Sequence, residues 1–160
     1  MSKKTVEIAS SAIRRKGGRK IKKQTKIMVF GTFDGLHQGH LNFFNQARNL
    51  VRDSFLIASI ARDRNVLKIK GRHTFLSEKK RAGLVKKSGL VNKVVLAGLK
   101  RHIPHIIKER PDIIALGYDQ KVYVKNLTKD LKSKGIFAEI IRLKPYKEKI
   151  YKNHLLNKKR

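Results

Sequence analysis

Two histidines three residues apart, His37 and His40, stand out within Val29-Phe30-Gly31-Thr32-Phe33-Asp34-Gly35-Leu36-His37-Gln38-Gly39-His40. The apolar run Ile27 to Phe30 precedes them, and an amphipathic segment, Leu41 to Val51, follows. That order reads as strand, glycine-containing turn, helix. Such a turn holds phosphate, because backbone N–H groups and a helix N-terminus face the ligand. Gly31 permits a tight turn and leaves room for a ligand, while Thr32 and Phe33 offer backbone N–H groups. Gly39 lets phosphate approach the helix. His37 and His40 share one side of the first helical turn. As hydrogen-bond donors to phosphoryl oxygens, and in charge-assisted form, they would stabilise charge that grows in a transition state. Two other readings remain open. The His-x-x-His spacing also suits a metal, although the chain has no cysteine and no Glu follows the first histidine. The two rings could also simply cap the helix.

The elements that must position this turn follow from periodicity and punctuation. Leu41, Phe44, Ala47, Leu50 and Val51 recur at helical spacing. Phe55 to Ile60 is an apolar run suited to a strand covered on both faces. Arg62 to Thr74 is polar and basic and reads as a loop. Ser77 is placed to cap a helix that stops near Gly89. Lys93 to Ala97 is a third strand, Ile103 to Glu109 a short helix with Pro104 in its first turn, and Asp112 to Leu116 a fourth strand. Gly117-Tyr118-Asp119-Gln120 forms a second loop at a strand end. A helix over Val122 to Lys134 stops at Gly135, and Ile136 to Ile141 is a fifth strand. Alternating strands and helices predict an α/β domain with a doubly wound, five-stranded parallel sheet. Ligands of such sheets bind beyond the carboxyl ends of the strands, where strand order reverses. The turn 31–40, the basic stretch 62–74 and the loop 117–120 all fall there.

Composition bounds the partners. The 160 residues include 40 Lys or Arg against 11 Asp or Glu, a net charge of +29. Nucleotides, nucleic acid or an anionic surface are natural partners for such a chain. Residues 1–26 carry ten Lys or Arg and one Glu, a net of +9, which leaves +20 on the rest. They read as a basic extension, partly disordered and solvated; the alternative is a tether for nucleic acid or another polyanion. The domain proper is expected at 27–152, with a short basic tail at 153–160. The absence of cysteine removes disulfides and fits a reducing compartment. No apolar run approaches the roughly 20 residues of a membrane span, and no signal-peptide core follows the basic start, so no membrane partner and a cytoplasmic location are expected.

The stretch Gly31 to His40 resembles the His-x-Gly-His signature of the cytidylyltransferase-like nucleotidyltransferases, whose fold is Rossmann-like. Further residues resemble the archaeal-type FAD synthases: Ala61-Arg62-Asp63 running through Lys68 and Lys70 to Gly71-Arg72, then Asp112 to Gln120, then Arg142-Leu143-Lys144-Pro145-Tyr146. The resemblance covers about residues 26–152. It implies transfer of AMP from ATP to FMN, with FAD and pyrophosphate as products, and a homodimeric assembly. Carried onto this chain, it implies ATP binding by Gly31, Thr32, Phe33, His37, Gln38, Gly39, His40, Gly117, Asp119 and Tyr146. His37, His40, Lys68 and Lys70 would be catalytic. Asp119 has a helix N-cap before Val122 as its alternative role, and Tyr146 a cover over the sheet end. Asp34 would either help hold a divalent ion through water or fix the turn. The expected ion is Mg2+, bound through substrate phosphates rather than by a protein metal site.

Many relatives carry Ser/Thr-rich residues and an Arg near the start of the last helix. Here 151–160 reads Tyr-Lys-Asn-His-Leu-Leu-Asn-Lys-Lys-Arg, where Asn153 could replace a hydroxyl and His154 or Lys152 the charge. Two further readings are a cytidylyltransferase acting on glycerol 3-phosphate, and a catalytically weakened nucleic-acid-binding module on the same fold. The latter finds no RNP-like aromatic pattern and no zinc-finger spacing to support base reading.

Overall fold

Strands and helices alternate along the chain as the hydrophobic pattern requires. The computed structural model describes residues 14–16, 19–100, 102–121, 126–147 and 149–150. Strands β1 (Arg14–Lys16) and β2 (Arg19–Ile21) pair antiparallel as a separate two-stranded sheet within the basic extension. The first thirteen residues of that extension and the tail 153–160 lie outside the described residues.

The main sheet is built from β3 (Thr25–Gly31), β4 (Ser54–Ile60), β5 (Lys93–Leu96), β6 (Ile113–Leu116) and β7 (Glu139–Arg142). Its order is β5-β4-β3-β6-β7 and every pairing is parallel. This is the expected doubly wound Rossmann-like arrangement. The chain steps outward from β3 to β4 and β5, then crosses to β6 on the other side. Strand order therefore reverses between β3 and β6, where ligands of such sheets bind.

Alternating side chains feed two cores. Ile27 and Val29 of β3 join Phe44 and Ala47 of α1 (Gln38–Arg48) and Val85 of α3 (Glu78–Lys87) on one face. Met28 and Ile57 join Ile106 of α4 (His102–Glu109) and Leu127 and Leu131 of α5 (Leu127–Ser133) on the other. Among the described residues no helix is long and apolar enough to cross a membrane.

Two expectations need correction. The stretch 62–74 is not simply a loop: it contains helix α2 (Asp63–Lys70), ended by Gly71 in the left-handed conformation at φ 66°. Val66 is its buried anchor, Asp63 lies in its first turn and Lys68 and Lys70 in its last, each complementing the helix dipole. The density of basic residues hid that pattern. The last strand begins at Glu139 rather than Ile136. Gly135 N–H donates to the Lys132 carbonyl at 3.0 Å and Ile136 N–H to the Leu131 carbonyl at 2.9 Å, a Schellman-type helix stop. Ile136 thus seals the end of α5 in the core instead of opening a strand.

Candidate active site

A cavity of about 490 Å³ opens over the carboxyl ends of the main sheet. It is bounded by Phe30 to Phe33 at the end of β3, Ser59 and Ala61 at the end of β4, Ala97 after β5, Gly117 after β6 and Lys144 after β7. All three loop regions expected to meet do meet. His37, Gly39, His40, Lys70, Asp119 and Tyr146 also line it. Gln38 and Lys68 do not: both are exposed and lie outside the lining.

The first turn is shaped by Phe33. Its backbone has φ 51°, a conformation uncommon for a residue with a side chain. This brings its ring, 2% exposed, back over Gly31, where a Cβ would lie 2.5 Å from the ring. Gly31 is needed for that ring rather than only to make room for a ligand. The ring also packs on Phe44 at 5.1 Å and edge-on to His40 at 5.3 Å between centroids.

His37 is the N-cap residue of α1, and its N–H donates to His40 Nδ1 at 3.4 Å. The two rings stack at 3.8 Å with a 22° interplanar angle. Capping and cavity lining are therefore two aspects of the same residues. Burial, then the neighbouring His37, and lastly Lys70, push the His40 imidazole down to about 3 against a raising hydrogen bond with the Gly35 backbone. The charge-assisted form expected of the pair is thus not the resting form of His40, which is neutral near pH 7. Stacking on a second imidazole under Phe33 makes a proton there costly.

Lys70 reaches the turn from the end of α2, its Nζ donating to Thr32 Oγ1 at 3.2 Å. Much of its side chain is exposed, yet partial desolvation, then Arg72, lower its pKa, opposed by the charges of Asp119 and Asp34. Lys70 and Asp119 thus influence each other electrostatically. Asp119 is not a helix cap: the N-cap of α5 is Asn126, and residues 122–125 are outside the described set. Asp34 fixes structure. Its two carboxylate oxygens accept from Phe75 N–H at 2.8 Å and Leu76 N–H at 2.9 Å.

Arg81 escaped the sequence reading altogether. It is completely buried and donates to the carbonyls of Thr32 at 2.6 Å, Ala61 at 2.7 Å and Leu76 at 3.1 Å, and to Asp63 Oδ1 at 2.6 Å. Partial burial would raise the Asp63 carboxyl, but hydrogen bonds from Arg81, Glu78 N–H and Thr74 outweigh it and hold the group below its ordinary range. Asp63 and Glu78 also cap each other's helices, Asp63 N–H to Glu78 Oε2 at 2.9 Å and Glu78 N–H to Asp63 Oδ2 at 3.0 Å. Only a buried arginine among basic surface residues could have announced this, and its type alone does not distinguish it.

The second loop has its own braces. Gln120 accepts from Gly117 N–H at 2.8 Å and donates to the Phe30 carbonyl at 2.7 Å. Arg142 Nη1 donates to the carbonyls of Gly117 at 2.8 Å and Gln120 at 2.9 Å. The described residues contain no group of three or more His, Asp or Glu able to hold a metal ion. Both Asp34 oxygens accept backbone N–H bonds, and among the described residues no second ligand set gathers around it.

Residues 28–154 match the cytidylyltransferase-like family. The FAD synthase of Korarchaeum cryptofilum is 43% identical over 119 residues, covering 74% of this chain and 80% of that protein. The FAD synthase of Methanosarcina barkeri is 42% identical over 125 residues, covering 78% and 86%. A lipopolysaccharide core biosynthesis protein from Thermoplasma volcanium, known from its crystal structure, superposes with a TM-score of 0.71 at 29% identity, covering 78% of this chain and 99% of that one. A family match over residues 28–154, a strand-turn-helix unit lining a cavity on a five-stranded parallel sheet, and identity spread over three quarters of the chain lead to one assignment: the chain belongs to the cytidylyltransferase-like family of nucleotidyltransferases and, within it, groups with the archaeal FAD synthases.

Proposed function

We propose that the chain transfers the adenylyl group of ATP to FMN, forming FAD and pyrophosphate. The observation that carries this reading is the convergence of Thr32, His37, His40 and Lys70 on one cavity at the strand-order reversal, in a chain 43% identical to an archaeal FAD synthase. An oxygen of the FMN phosphate attacks the α-phosphorus in line. The bond from that phosphorus to the bridging oxygen breaks, and pyrophosphate leaves with its electron pair. The attacking phosphate is already an anion near neutral pH, so no general base is required. Positioning and charge stabilisation do the work.

In this role His40 donates as a neutral imidazole, and gains positive character as triphosphate charge comes near. His37 caps the same helical turn and adds its ring to the phosphate wall. Lys70 supplies the fixed cation, with Thr32 holding its ammonium over the turn. Lys68, outside the cavity, has no part. Gly31, Phe33 and Gly39 shape the turn, while Gly117, Asp119 and Tyr146 face the nucleoside end of ATP. Mg2+ would enter on the substrate phosphates. Residues 1–26 would add salt-dependent affinity for polyanions, lost when they are deleted. The enzyme would act in the cytoplasm as a homodimer.

The deciding experiment supplies ATP with FMN, or CTP with glycerol 3-phosphate, and measures pyrophosphate and FAD. Pyrophosphate with FAD from the first pair alone is expected. Release from the second pair only would reject the assignment.

A further inference from the structure

The cavity has two chemically different halves. The half beside α1 holds His37 and His40 and serves the triphosphate. The other lies between the ends of β4 and β5 and helices α2 and α4, and adenylyl transfer itself uses none of its side chains. Val66 and Ile69 of α2 and Ala97 after β5 give it apolar walls. Ile69 is left 55% exposed at the rim, an apolar surface that a flat ligand would cover.

Three polar side chains interrupt these walls: Asn65, whose amide already donates to the Gly98 carbonyl at 3.0 Å, His102, and one buried hydroxyl, Ser59. Ser59 stands in β4 among Phe55, Leu56, Ile57, Ala58 and Ile60, and is 1% exposed. It pairs in register with Phe30 and Val95, two positions beyond Ile57, and so shares the sheet face that packs on α4. There its Oγ lies 2.8 Å from His105 Nε2. Burial lowers the His105 pKa against the pull of Glu109, with His102, Lys108 and Lys93 adding to the lowering, so the ring is neutral near pH 7. A hydroxyl has one donor and two acceptor sites, and a neutral imidazole nitrogen takes only one of them. If His105 accepts, Ser59 keeps lone pairs for a ligand N–H. If His105 donates, the Ser59 hydroxyl hydrogen is left for a ligand carbonyl. The bond satisfies Ser59 within an otherwise apolar strand and leaves the rest of its hydroxyl capacity at the cavity wall.

We propose that this half of the cavity is the subsite for the acceptor's ring system, and that Ser59, oriented by His105, is the residue that reads its polar edge. The inference rests on FMN being the acceptor. An isoalloxazine is flat, with an apolar dimethylbenzene end suited to Val66, Ile69 and Ala97. Its opposite edge is an imide, carbonyl–N–H–carbonyl, which a group able to accept or donate can satisfy in either tautomer. Ser59 is thus a specificity residue for the acceptor and takes no part in the transfer step.

The test titrates the full chain with FMN and with 3-methyl-FMN, whose imide N–H is replaced by N–CH3, following flavin fluorescence. The wild type is expected to bind 3-methyl-FMN at least fivefold more weakly than FMN, the scale of about one neutral hydrogen bond. Ser59→Ala is expected to bind FMN about fivefold more weakly and to lose most of that discrimination, with the KM for ATP unchanged. His105→Phe should reproduce the loss, and the double variant should add nothing to it. Indifference of the wild type to N3 methylation overturns the subsite without any variant. So does Ser59→Ala with wild-type FMN affinity, or a change confined to ATP; in each of these cases FAD synthesis by the wild type still stands. A wild type that neither binds FMN nor makes FAD removes the acceptor assignment, and the subsite with it.

Discussion

Two arginines hold the two loops that face each other across the cavity, and their surroundings are opposite. Arg81 is completely buried and ties Thr32 of the first turn to Ala61, Leu76 and Asp63. Arg142 is exposed and ties together the carbonyls of the 117–120 loop. Both devices satisfy loop carbonyls with a guanidinium. Inside the protein, each of those carbonyls has no water to turn to when the arginine is lost. At the surface it does. The difference suits the expected tasks. The turn that must hold its donors against a developing charge is built rigidly, and the loop facing the nucleoside is left able to adjust.

The largest effect that could break this contrast is removal of the buried clamp. Arg81→Met keeps an apolar stem but strips donors from three carbonyls and from Asp63. A loss of about 3–5 kcal/mol in urea unfolding is expected, as when one partner of a buried charged network is deleted. What folds should transfer AMP poorly, because Thr32 and the start of α2 are released together. A loss below about 1 kcal/mol would mean that the turn does not depend on the clamp.

Next in size is His40→Ala. Removing one preorganised donor from a developing oxyanion typically costs about 10²–10³ in turnover. That range is expected in single-turnover adenylyl transfer, beside a stability loss of about 1 kcal/mol near pH 7 from the missing cap contact. Lys68→Ala, made in parallel, should be close to wild type, since Lys68 lies outside the cavity. Near-wild-type turnover in His40→Ala would remove the histidine from the chemistry and leave it only its place in the cap.

The same histidine makes the first turn sensitive to acid. In the folded chain His40 titrates at about 3, against an ordinary value of 6.5. Between those values the unfolded chain binds more protons, so stability falls as pH falls. Going from pH 7 to pH 5 should cost about 2 kcal/mol from this group alone. His102 and His105, both lowered by burial, push in the same direction. Urea melts of wild type and His40→Ala at the two pH values check this: the variant should lose distinctly less.

What was legible in the sequence, and what was not, follows the same division. The five strands are apolar runs, and their cores are visible because a parallel sheet buries both faces. The turn at Gly31 to His40 was legible because glycine, histidine and spacing are local signals. Helix α2 was not, because its solvent face is so basic that Val66 alone had to carry the pattern. Arg81 and the Ser59–His105 pair were invisible for a different reason. Their contacts reach as far as 46 residues for Ser59–His105 and 49 for Arg81–Thr32, so only the fold can show that an arginine among forty basic residues is a clamp. Asp34 was legible as a turn residue or a metal helper, and only the N–H groups of Phe75 and Leu76 decide between them.

Arg142 tests most directly whether burial separates the two loops. Arg142→Ala deletes three carbonyl contacts, as Arg81→Met does, all of them on the second loop: Gly117, Gln120 and, at 3.4 Å, Tyr118. If contact number governed the outcome, the two variants would be alike. Because Arg142 is exposed, water replaces it, and its loss should cost about 1 kcal/mol or less in unfolding. Gln120, which ties Gly117 N–H to the Phe30 carbonyl, still holds the loop near its place. The remaining slack should appear in binding: a KM for ATP raised a few fold, with turnover nearly unchanged because His40 and Lys70 are untouched. A stability loss as large as that of Arg81→Met would show that the second loop is as rigidly built as the first, and that burial is not what separates them.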